Sequence, residues 1–261
     1  DWTSTPEALV WVACLAMTTL ACKAESVSTP PPVIVLTAFG TSVAEARKTF
    51  DVIDASARRR FPGYEIRWAF TSQTIIDKLR EQGIVTHNLD EVLKDLRARG
   101  VQSAVIQSLH VVPGQEYTQI GRADSGDMAV ATGAALLTTD EDTREVIAAL
   151  EAELKPGIPT VVVCHGNSRY AVFNDRLAVF TGEMERRYPD VAVASVEGTP
   201  GPGPLKQVAE RVRACGGRVH FIPLMIVAGD HVENDVLGEG PESWKHVVGA
   251  TSATVSPSLG Y

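Results

Sequence analysis

The stretch Val161–Ser168, VVVCHGNS, indicates the fold of this chain. A run of apolar residues followed by a polar turn that contains glycine is typical of a strand buried inside a parallel sheet, whose carboxyl end opens onto a ligand crevice. The earlier stretch Val33–Ser42, VIVLTAFGTS, has the same form. The sequence therefore contains one structural unit twice, with Phe39 in the position of His165.

Two further pairs of segments support the duplication. Ala69–Ser72 resembles Ser195–Gly198, and Val111–Glu116 resembles Ile226–His231. The interval between the first and second anchors is the same in both copies. An apolar, a hydroxyl and an acidic position of the first copy thus correspond to two imidazoles and a carboxylate in the second: Phe39 with His165, Thr71 with Glu197, and Glu116 with His231.

The order of the remaining segments predicts an α/β protein. Short apolar runs alternate with stretches of helical periodicity, a pattern typical of parallel sheets with right-handed crossovers. We expect two similar halves, 33–140 and 141–261, each a parallel sheet flanked by helices, with a cleft between them. The predicted strands are 33–38, 64–70, 101–112, 160–164, 191–196 and 218–227, and the predicted helices are 43–60, 74–82, 89–99, 143–154, 170–188 and 205–215.

Composition and charge limit the possible functions. The 261 residues are 44% hydrophobic and 21% charged, as in folded globular proteins. The formal net charge of −8 argues against a nucleic-acid partner, because such proteins carry a basic surface. The chain contains neither a P-loop motif nor GxGxxG after its first strand, so nucleotide binding has no support.

The N-terminal region, 1–32, is predicted to be an export signal followed by a flexible lead-in. Ala8–Ala21 is apolar but shorter than the roughly 20 residues of a spanning helix, so it matches the apolar part of a secretory signal. Cleavage near Ala24 would give a periplasmic protein whose mature chain has no membrane span. Lipid attachment at Cys22 and an N-terminal core helix are the less favoured alternatives.

Two cysteines remain beyond this region, and no disulfide framework is predicted. Cys164 ends a predicted strand and Cys215 follows a predicted helix. Cys164 precedes His165, but neighbouring strand residues point to opposite faces of a sheet. We therefore expect Cys164 to be a buried core thiol and not a metal ligand.

The candidate metal ligands are His165, Glu197 and His231. All three follow predicted strands, whose carboxyl ends meet at one edge of a sheet. Two imidazoles and one carboxylate suit a first-row divalent ion and leave positions open for a substrate. Each residue has an alternative role. His165 could be a core histidine and Glu197 a solvated turn carboxylate. His231 could lie in a loop in which Asn234 or Asp235 caps the next helix.

Other histidines and one carboxylate are weaker candidates. Glu116, the counterpart of His231, is predicted to face the same cleft. His110 lies inside a predicted strand, but close enough to its end to approach the cleft. His87, His220 and His246 are expected to be structural or exposed. An exposed His87 could ligate a haem iron, although no spacing requires it.

Several motifs resemble those of the anaerobic-type sirohydrochlorin cobaltochelatases, a family of class II chelatases. The resemblance extends over roughly residues 33–255, and its most specific part is Pro223–His231, PLMIVAGDH; weaker matches are Gln107–His110, Val196–Gly198, Asn234–Asp235 and Ser243–Lys245. It implies a ferrochelatase-like fold of two α/β halves around a tetrapyrrole cleft. It also implies His165, Glu197 and His231 as metal ligands, and Glu116 as an additional cleft carboxylate. The apparent export signal departs from the usual cytosolic family member.

By this resemblance we expect a homo-oligomeric chelatase that inserts Co²⁺ or Fe²⁺ into sirohydrochlorin without ATP. The divalent metal is then a substrate; a surface-bound haem is compatible with the resemblance but not supported by the sequence. The catalytic residues would be His165, His231 and Glu116, because an imidazole can hold a metal and take up a proton. The carboxylates of sirohydrochlorin would be bound by polar residues that follow strands: Thr41, Ser42, Ser72, His110, Asn167, Ser168 and Arg169.

Two other functions fit the same pattern. A periplasmic binding protein that carries a metal or a tetrapyrrole, without inserting metal, also has two α/β halves around a cleft. A ferrochelatase of haem synthesis would use a less carboxylated porphyrin. A carrier of free tetrapyrrole needs no basic metal site, so the paired imidazoles favour a chelatase.

Overall fold

The computed structural model describes residues 30–227 and 229–260. The predicted signal segment, with Cys22 and the cleavage point near Ala24, lies outside the described residues, so its export role stays a prediction. The chain divides into two compact units, and the boundary between them in the sequence lies between Leu136 and Leu137. Among the described residues, no helix has the length and apolar character that a membrane span requires.

The first unit contains a parallel four-stranded sheet with the order β2-β1-β3-β4. A core that includes Val35, Leu93 and Ile106 fills one face of this sheet. The strands are Val33–Ala38 (β1), Ile66–Phe70 (β2), Ser103–Ser108 (β3) and Ala129–Thr132 (β4); the helices are Ala44–Arg60 (α1), Gln73–Glu81 (α2), Leu89–Ala98 (α3) and Gln115–Ile120 (α4).

The second unit repeats this architecture, with the parallel sheet order β6-β5-β7-β8. Val161, Val212 and Phe221 belong to the core on one face. The strands are Thr160–Cys164 (β5), Val191–Ser195 (β6), Arg218–Pro223 (β7) and Ser252–Val255 (β8); the α-helices are Asp140–Leu150 (α5), Asp175–Arg187 (α6), Leu205–Ala214 (α7) and Trp244–Val247 (α8). Two 3-10 helices, Glu151–Glu153 and Ala171–Asn174, and a π-helix, His231–Val236, complete the unit.

Local sequence explains where these elements form and begin. Every residue of β1 and of β5 is buried, as expected for apolar central strands covered by helices on both faces. Helix α3 begins with a capping box between Asn88 and Glu91, and α5 with one between Thr139 and Asp142. In each box two otherwise unpaired backbone amides are satisfied by side chains, which fixes the start of the helix.

The predicted fold class, α/β with two similar parallel-sheet halves, is confirmed. Several boundaries were wrong. The strands predicted at 101–112 and 218–227 end at Ser108 and Pro223, because the apolar residues Leu109 and Leu224 are buried in loops and extend the apolar pattern beyond the strand. The helix predicted at 170–188 has its α-helical part at Asp175–Arg187.

The sheet registers correct one pairing of the two copies. The amide of Ser72 donates to the carbonyl of Phe39 (3.3 Å), and the amide of Glu197 donates to the carbonyl of His165 (2.8 Å). Glu197 therefore corresponds to Ser72, and its predicted pairing with Thr71 is wrong by one residue. The cause is a connection from β5 to β6 that is one residue shorter than the connection from β1 to β2.

The two remaining cysteines behave as expected. Cys164 is 1% exposed, and burial raises the pKa of its thiol to about 12, so it remains a neutral core group. Cys215 follows α7 as its C-terminal cap. Both cysteines are free.

A buried histidine joins the edge of the second sheet to its centre. The ring of His220 in β7 lies between Thr254 Oγ1 (Nδ1, 2.8 Å) and Ser256 Oγ (Nε2, 3.0 Å). The Ser256 hydroxyl donates its single proton to Glu153 (2.6 Å), so His220 donates to Ser256 through Nε2. In the neutral ring, Nδ1 then accepts the proton of the Thr254 hydroxyl. Burial, together with the nearby Lys155 ammonium, lowers the pKa of His220.

The His220 network predicts that stability decreases in mild acid. Because the folded protein holds the pKa below its unfolded value, stability from neutral His220 is present above about pH 6.5 and is lost as the pH falls. We expect His220→Gln to unfold more readily at pH 7 and to show a smaller loss of unfolding free energy between pH 7 and 5. Urea unfolding at both pH values measures this, with the exposed His87→Gln as control. Equal pH dependence in His220→Gln and the parent protein would contradict the assignment.

Candidate metal centre

Two imidazoles meet at the carboxyl end of the second sheet. The chain leaves β5 toward β6 on one side and later enters β7 on the other, and such a crossing point is where open α/β sheets bind ligands. His165 follows β5 directly, and His231 begins the π-helix in the connection after β7. Their ring centroids are 4.9 Å apart, with an interplanar angle of 81°. The structure thus brings together two of the three predicted ligands.

The position of His231 differs from the sequence-based prediction. It was expected at the end of a strand, but β7 ends at Pro223 and His231 is the first residue of a one-turn π-helix. Glu116, its counterpart, is the second residue of α4 in the first unit. Both copies therefore use a short helix after the third strand, and not the strand itself, to present this position.

Hydrogen bonds fix the tautomers of both imidazoles. His165 Nδ1 lies 2.8 Å from the carbonyl oxygen of Gly166, and His231 Nδ1 lies 2.7 Å from Oδ2 of Asp235. Carbonyl and carboxylate oxygens accept hydrogen bonds and do not donate them, so Nδ1 carries the proton in both rings. In each neutral ring the lone pair is then on Nε2. Two Nε2 atoms are available as metal ligands.

Glu197 lies on the neighbouring turn and is engaged by another side chain. Its Oε2 accepts a hydrogen bond from the hydroxyl of Ser168 (2.9 Å). Within the part of the chain that the structure describes, no group of three or more His, Cys, Asp or Glu side chains could hold a metal ion. The described geometry is therefore that of an imidazole pair beside an exposed carboxylate, and ligation by Glu197 stays a prediction.

Two glycines allow the turns that carry His165 and Glu197 to touch. Gly166 and Gly198 have φ angles of 76° and 65°, in the left-handed region that disfavours other residues. A Cβ at Gly166 would overlap the backbone carbonyl of Glu197, and one at Gly198 would overlap that of Asn167. A backbone carbonyl cannot move aside without moving its turn. The spacing of the two site residues therefore depends on these glycines.

The segment after His165 is held by two asparagines. Asn167 Oδ1 accepts hydrogen bonds from the amides of Arg169 (3.0 Å) and Tyr170 (2.7 Å). Asn174, which is 4% exposed, bonds both the amide and the carbonyl of Asn167 (2.8 Å each). Asn167, predicted to bind substrate, is thus used within the protein. Its effect is to fix the exposed residues that follow.

Arg169 remains available for a ligand. Its guanidinium carbon lies 5.3 Å from the ring centroid of Tyr170, a cation–π contact, and both residues are exposed. Among the described residues, no side chain is hydrogen-bonded or ion-paired to its guanidinium. A stacked guanidinium retains its in-plane N–H donors, which suit a carboxylate.

The predicted substrate-binding residues of the first unit have local roles. Thr41 Oγ1 accepts a hydrogen bond from the amide two residues on (3.2 Å), and Ser72 caps α2 by accepting from the amide three residues on (3.4 Å). The Ser42 carbonyl accepts from Arg47 (3.1 Å). These bonds shape the turns after β1 and β2. Substrate binding by these three residues stays a prediction.

A cavity of about 430 Å³ lies beside these turns in the first unit. Phe39, Thr71, Ser72, Asp90 and Glu116 are among the residues that line it. The first-copy counterparts of the candidate site residues thus line one cavity, which also has an aromatic wall and two carboxylates.

His110 differs from its prediction in position, and its ring is bonded within the first unit. It lies two residues after β3 ends and not within the strand. Its Nδ1 is 3.0 Å from Ser108 Oγ, its Nε2 is 3.1 Å from Thr71 Oγ1, and its ring meets that of Tyr117 edge-on. Burial lowers the pKa of His110 to about 4, so the ring is neutral at neutral pH.

Comparison with known proteins identifies the family. Residues 33–260 match the family model described as cobalt chelatase (CbiK). The chain belongs to this cobalt chelatase family. The resemblance inferred from the sequence motifs is thereby confirmed, and the protein is a chelatase.

Curated relatives agree with this assignment, and solved structures are similar to the chain in fold. The chain is 30% identical over 238 residues to sirohydrochlorin cobaltochelatase CbiKC of Nitratidesulfovibrio vulgaris, covering 87% of this chain and 82% of the relative. It is 31% identical over 235 residues to the sirohydrochlorin cobaltochelatase of Salmonella typhimurium, covering 87% and 88%. The fold is similar to that of SirB from Bacillus subtilis with Fe³⁺ (TM-score 0.58, 11% identity, 87% and 88% covered). It is also similar to that of the sirohydrochlorin chelatase SirB from Bacillus subtilis subspecies spizizenii in complex with cobalt (TM-score 0.56, 12% identity, 87% of each chain).

Replacing Gly198 should disrupt the site. We expect Gly198→Ala to lower the free energy of unfolding by more than about 1 kcal/mol, since it adds left-handed strain to a backbone overlap. The same variant should lose most chelatase activity, because the turn that carries Glu197 must move. Urea unfolding and metal-insertion rates measure the two effects.

Gly182→Ala is the matched control for this prediction. Gly182 lies in α6, and a Cβ there meets no atom within 4 Å. This variant should keep full activity and gain roughly 0.5–1 kcal/mol of stability from its higher helix propensity. Parent-like stability and activity in Gly198→Ala would show that the contact between the two turns does not matter.

Proposed function

We propose that the protein inserts Co²⁺, and also Fe²⁺, into sirohydrochlorin without ATP. The observation that carries the proposal is the pair of imidazoles, His165 and His231, whose Nδ1–H groups are bonded and whose Nε2 atoms have no hydrogen-bond partner among residues 30–227 and 229–260. The family assignment and the two curated relatives named as sirohydrochlorin cobaltochelatases support the choice of metal and tetrapyrrole.

The imidazole pair suits a metal that is a substrate. Imidazole nitrogen binds all the common first-row divalent ions, and their affinity order does not single out cobalt. Two protein nitrogens leave positions for water and for the incoming pyrrole nitrogens. We therefore expect both Co²⁺ and Fe²⁺ to be inserted in vitro, with the metal supply deciding which is used.

Insertion replaces two pyrrole N–H protons with one dication, so two protons must be accepted. When the ion moves from an Nε2 to the pyrrole nitrogens, that Nε2 regains a lone pair beside the protons to be removed. An imidazole in this position can act as the general base. Metal and proton compete for the same nitrogen, so acid slows the reaction.

Arg169 provides an exposed cationic group on the segment that follows His165. Sirohydrochlorin carries eight carboxylates, and a stacked guanidinium can bind one of them through two parallel N–H donors. The asparagine-braced segment holds Arg169 and Tyr170 in place before the substrate arrives. In this proposal Arg169 binds a peripheral carboxylate of the macrocycle.

Removing either imidazole should abolish efficient insertion. We expect His165→Ala and His231→Ala to lower the initial rate by on the order of 10²-fold or more, because each imidazole holds metal and accepts protons. The double variant should be little worse than the slower single variant, since the two act as a unit. The visible spectrum of sirohydrochlorin with Co²⁺, without nucleotide, follows the reaction.

His246→Ala is the control, since it removes an exposed imidazole of the same unit that bonds Ser243 instead. Parent-like rates in both site variants would refute the mechanism. Tetrapyrrole binding by the parent protein without insertion of Co²⁺ or Fe²⁺ would identify a carrier. Insertion restricted to a less carboxylated porphyrin would identify a ferrochelatase.

Arg169→Gln should weaken substrate binding selectively. Loss of a charge-assisted bond worth about 1.5–3 kcal/mol predicts a KM for sirohydrochlorin roughly 10- to 100-fold higher, with the KM for Co²⁺ unchanged. Steady-state kinetics in each substrate separate these effects. Arg213→Gln, an exposed arginine at the end of α7, serves as the control. An unchanged KM for sirohydrochlorin in Arg169→Gln would exclude this contact.

A further inference from the structure

The acceptor that holds His231 is a carboxylate on the same turn of helix. The π-helix His231–Val236 places Asp235 beside His231, with 2.7 Å between Nδ1 and Oδ2. The two side chains are 35% and 43% exposed, so this pair is accessible and not part of the buried core. Asp235 was considered from the sequence as a helix cap, but the structure bonds it to His231.

We infer that Asp235 is a positioning residue of the chelatase and acts through His231. The carboxylate holds the proton on Nδ1 and sets the rotation of the ring, so that Nε2 is the metal-binding atom. A carboxylate behind a metal-binding imidazole also makes the imidazole a stronger donor. This inference rests on the proposed function, since it assumes that His231 binds the metal substrate.

The two imidazoles are therefore held by different acceptors. The neutral carbonyl of Gly166 holds His165, whereas the charged carboxylate of Asp235 holds His231. A charge-assisted hydrogen bond is roughly twice as strong as a neutral one. His231 is therefore the more strongly oriented member of the pair, which fits a primary anchor for the ion.

Comparison of the two copies supports a joint role for His231 and Asp235. Glu116 occupies the position of His231, and four residues on, the counterpart of Asp235 is Ile120. Ile120 is 3% exposed and belongs to the core of the first unit. The copy without the imidazole thus also lacks the carboxylate and uses that helix position for packing.

Neighbouring polar residues of the π-helix do not share this role. Asn234 donates from its side-chain amide to Asp230 (2.7 Å). Glu233 is exposed, and no bond joins it to His231 in the described structure. Glu233 therefore offers a control carboxylate in the same short helix.

Asp235→Ala should weaken metal use without changing tetrapyrrole binding. We expect the KM for Co²⁺ to rise by roughly 10- to 100-fold and the KM for sirohydrochlorin to stay within about twofold. Asp235→Asn should be intermediate, because an amide oxygen still accepts the Nδ1 proton. Titration with Co²⁺ alone, followed by its visible absorption, should show the same order of affinities. Glu233→Gln should match the parent protein in every measurement.

The outcomes separate this inference from the proposed function. Parent-like Co²⁺ affinity and KM in Asp235→Ala, with His231→Ala inactive, would overturn the role of Asp235 and leave the proposed function intact. Parent-like rates in both variants would overturn the proposed function itself. If Asp235→Ala does not fold, as measured by its unfolding midpoint, Asp235→Asn decides: parent-like Co²⁺ affinity and KM overturn the inference, and a several-fold loss supports it.

Discussion

The parallel ladder around β5 is the constraint on which the candidate site depends. β5 pairs on one side with β6 and on the other with β7, so the carboxyl ends of all three strands lie at one edge. Each ladder fixes the register of its strands, and a shift by one residue would turn every side chain to the opposite face. The same register that buries Cys164 releases His165 from the sheet. Packing of the core and placement of the imidazole therefore have a common cause.

The two copies share one backbone arrangement but carry different side chains at the candidate site. Both sheets have the same strand order, and the turns after their first two strands make equivalent hydrogen bonds. The side chains at these points differ in kind. The first copy has Phe39, Ser72, Glu116 and Ile120 where the second has His165, Glu197, His231 and Asp235. The backbone alone would not distinguish them, so the difference in function lies in the side chains.

The sequence predicted the architecture better than it predicted the site. Buried strands such as β5 are continuous apolar runs, which are easily recognised in the sequence. The edge strands β4 and β8 are short, partly exposed and made of small residues without a clear period. Both were missed, as were α4 and α8. Repetition in the sequence was enough to predict that His165 and His231 meet. The repeat comparison paired Glu197 with Thr71 because equal intervals in sequence conceal a shorter connection between the strands. It could not indicate the bond between His231 and Asp235, because that bond requires the geometry of a π-helix.

A site that delivers its metal has to bind the ion and then release it. Structural metal sites achieve permanence with four protein ligands in a closed arrangement. In the proposed mechanism the acceptors that orient the imidazoles act on Nδ1, away from the metal-binding Nε2, so they would preserve the geometry before and after transfer. Glu197 is held by one hydroxyl bond from Ser168 on an exposed turn, and if Glu197 is the predicted third ligand, exchanging that bond for a metal contact would cost little. Firm orientation of the nitrogens combined with an easily exchanged carboxylate is the arrangement that a transferable ion requires.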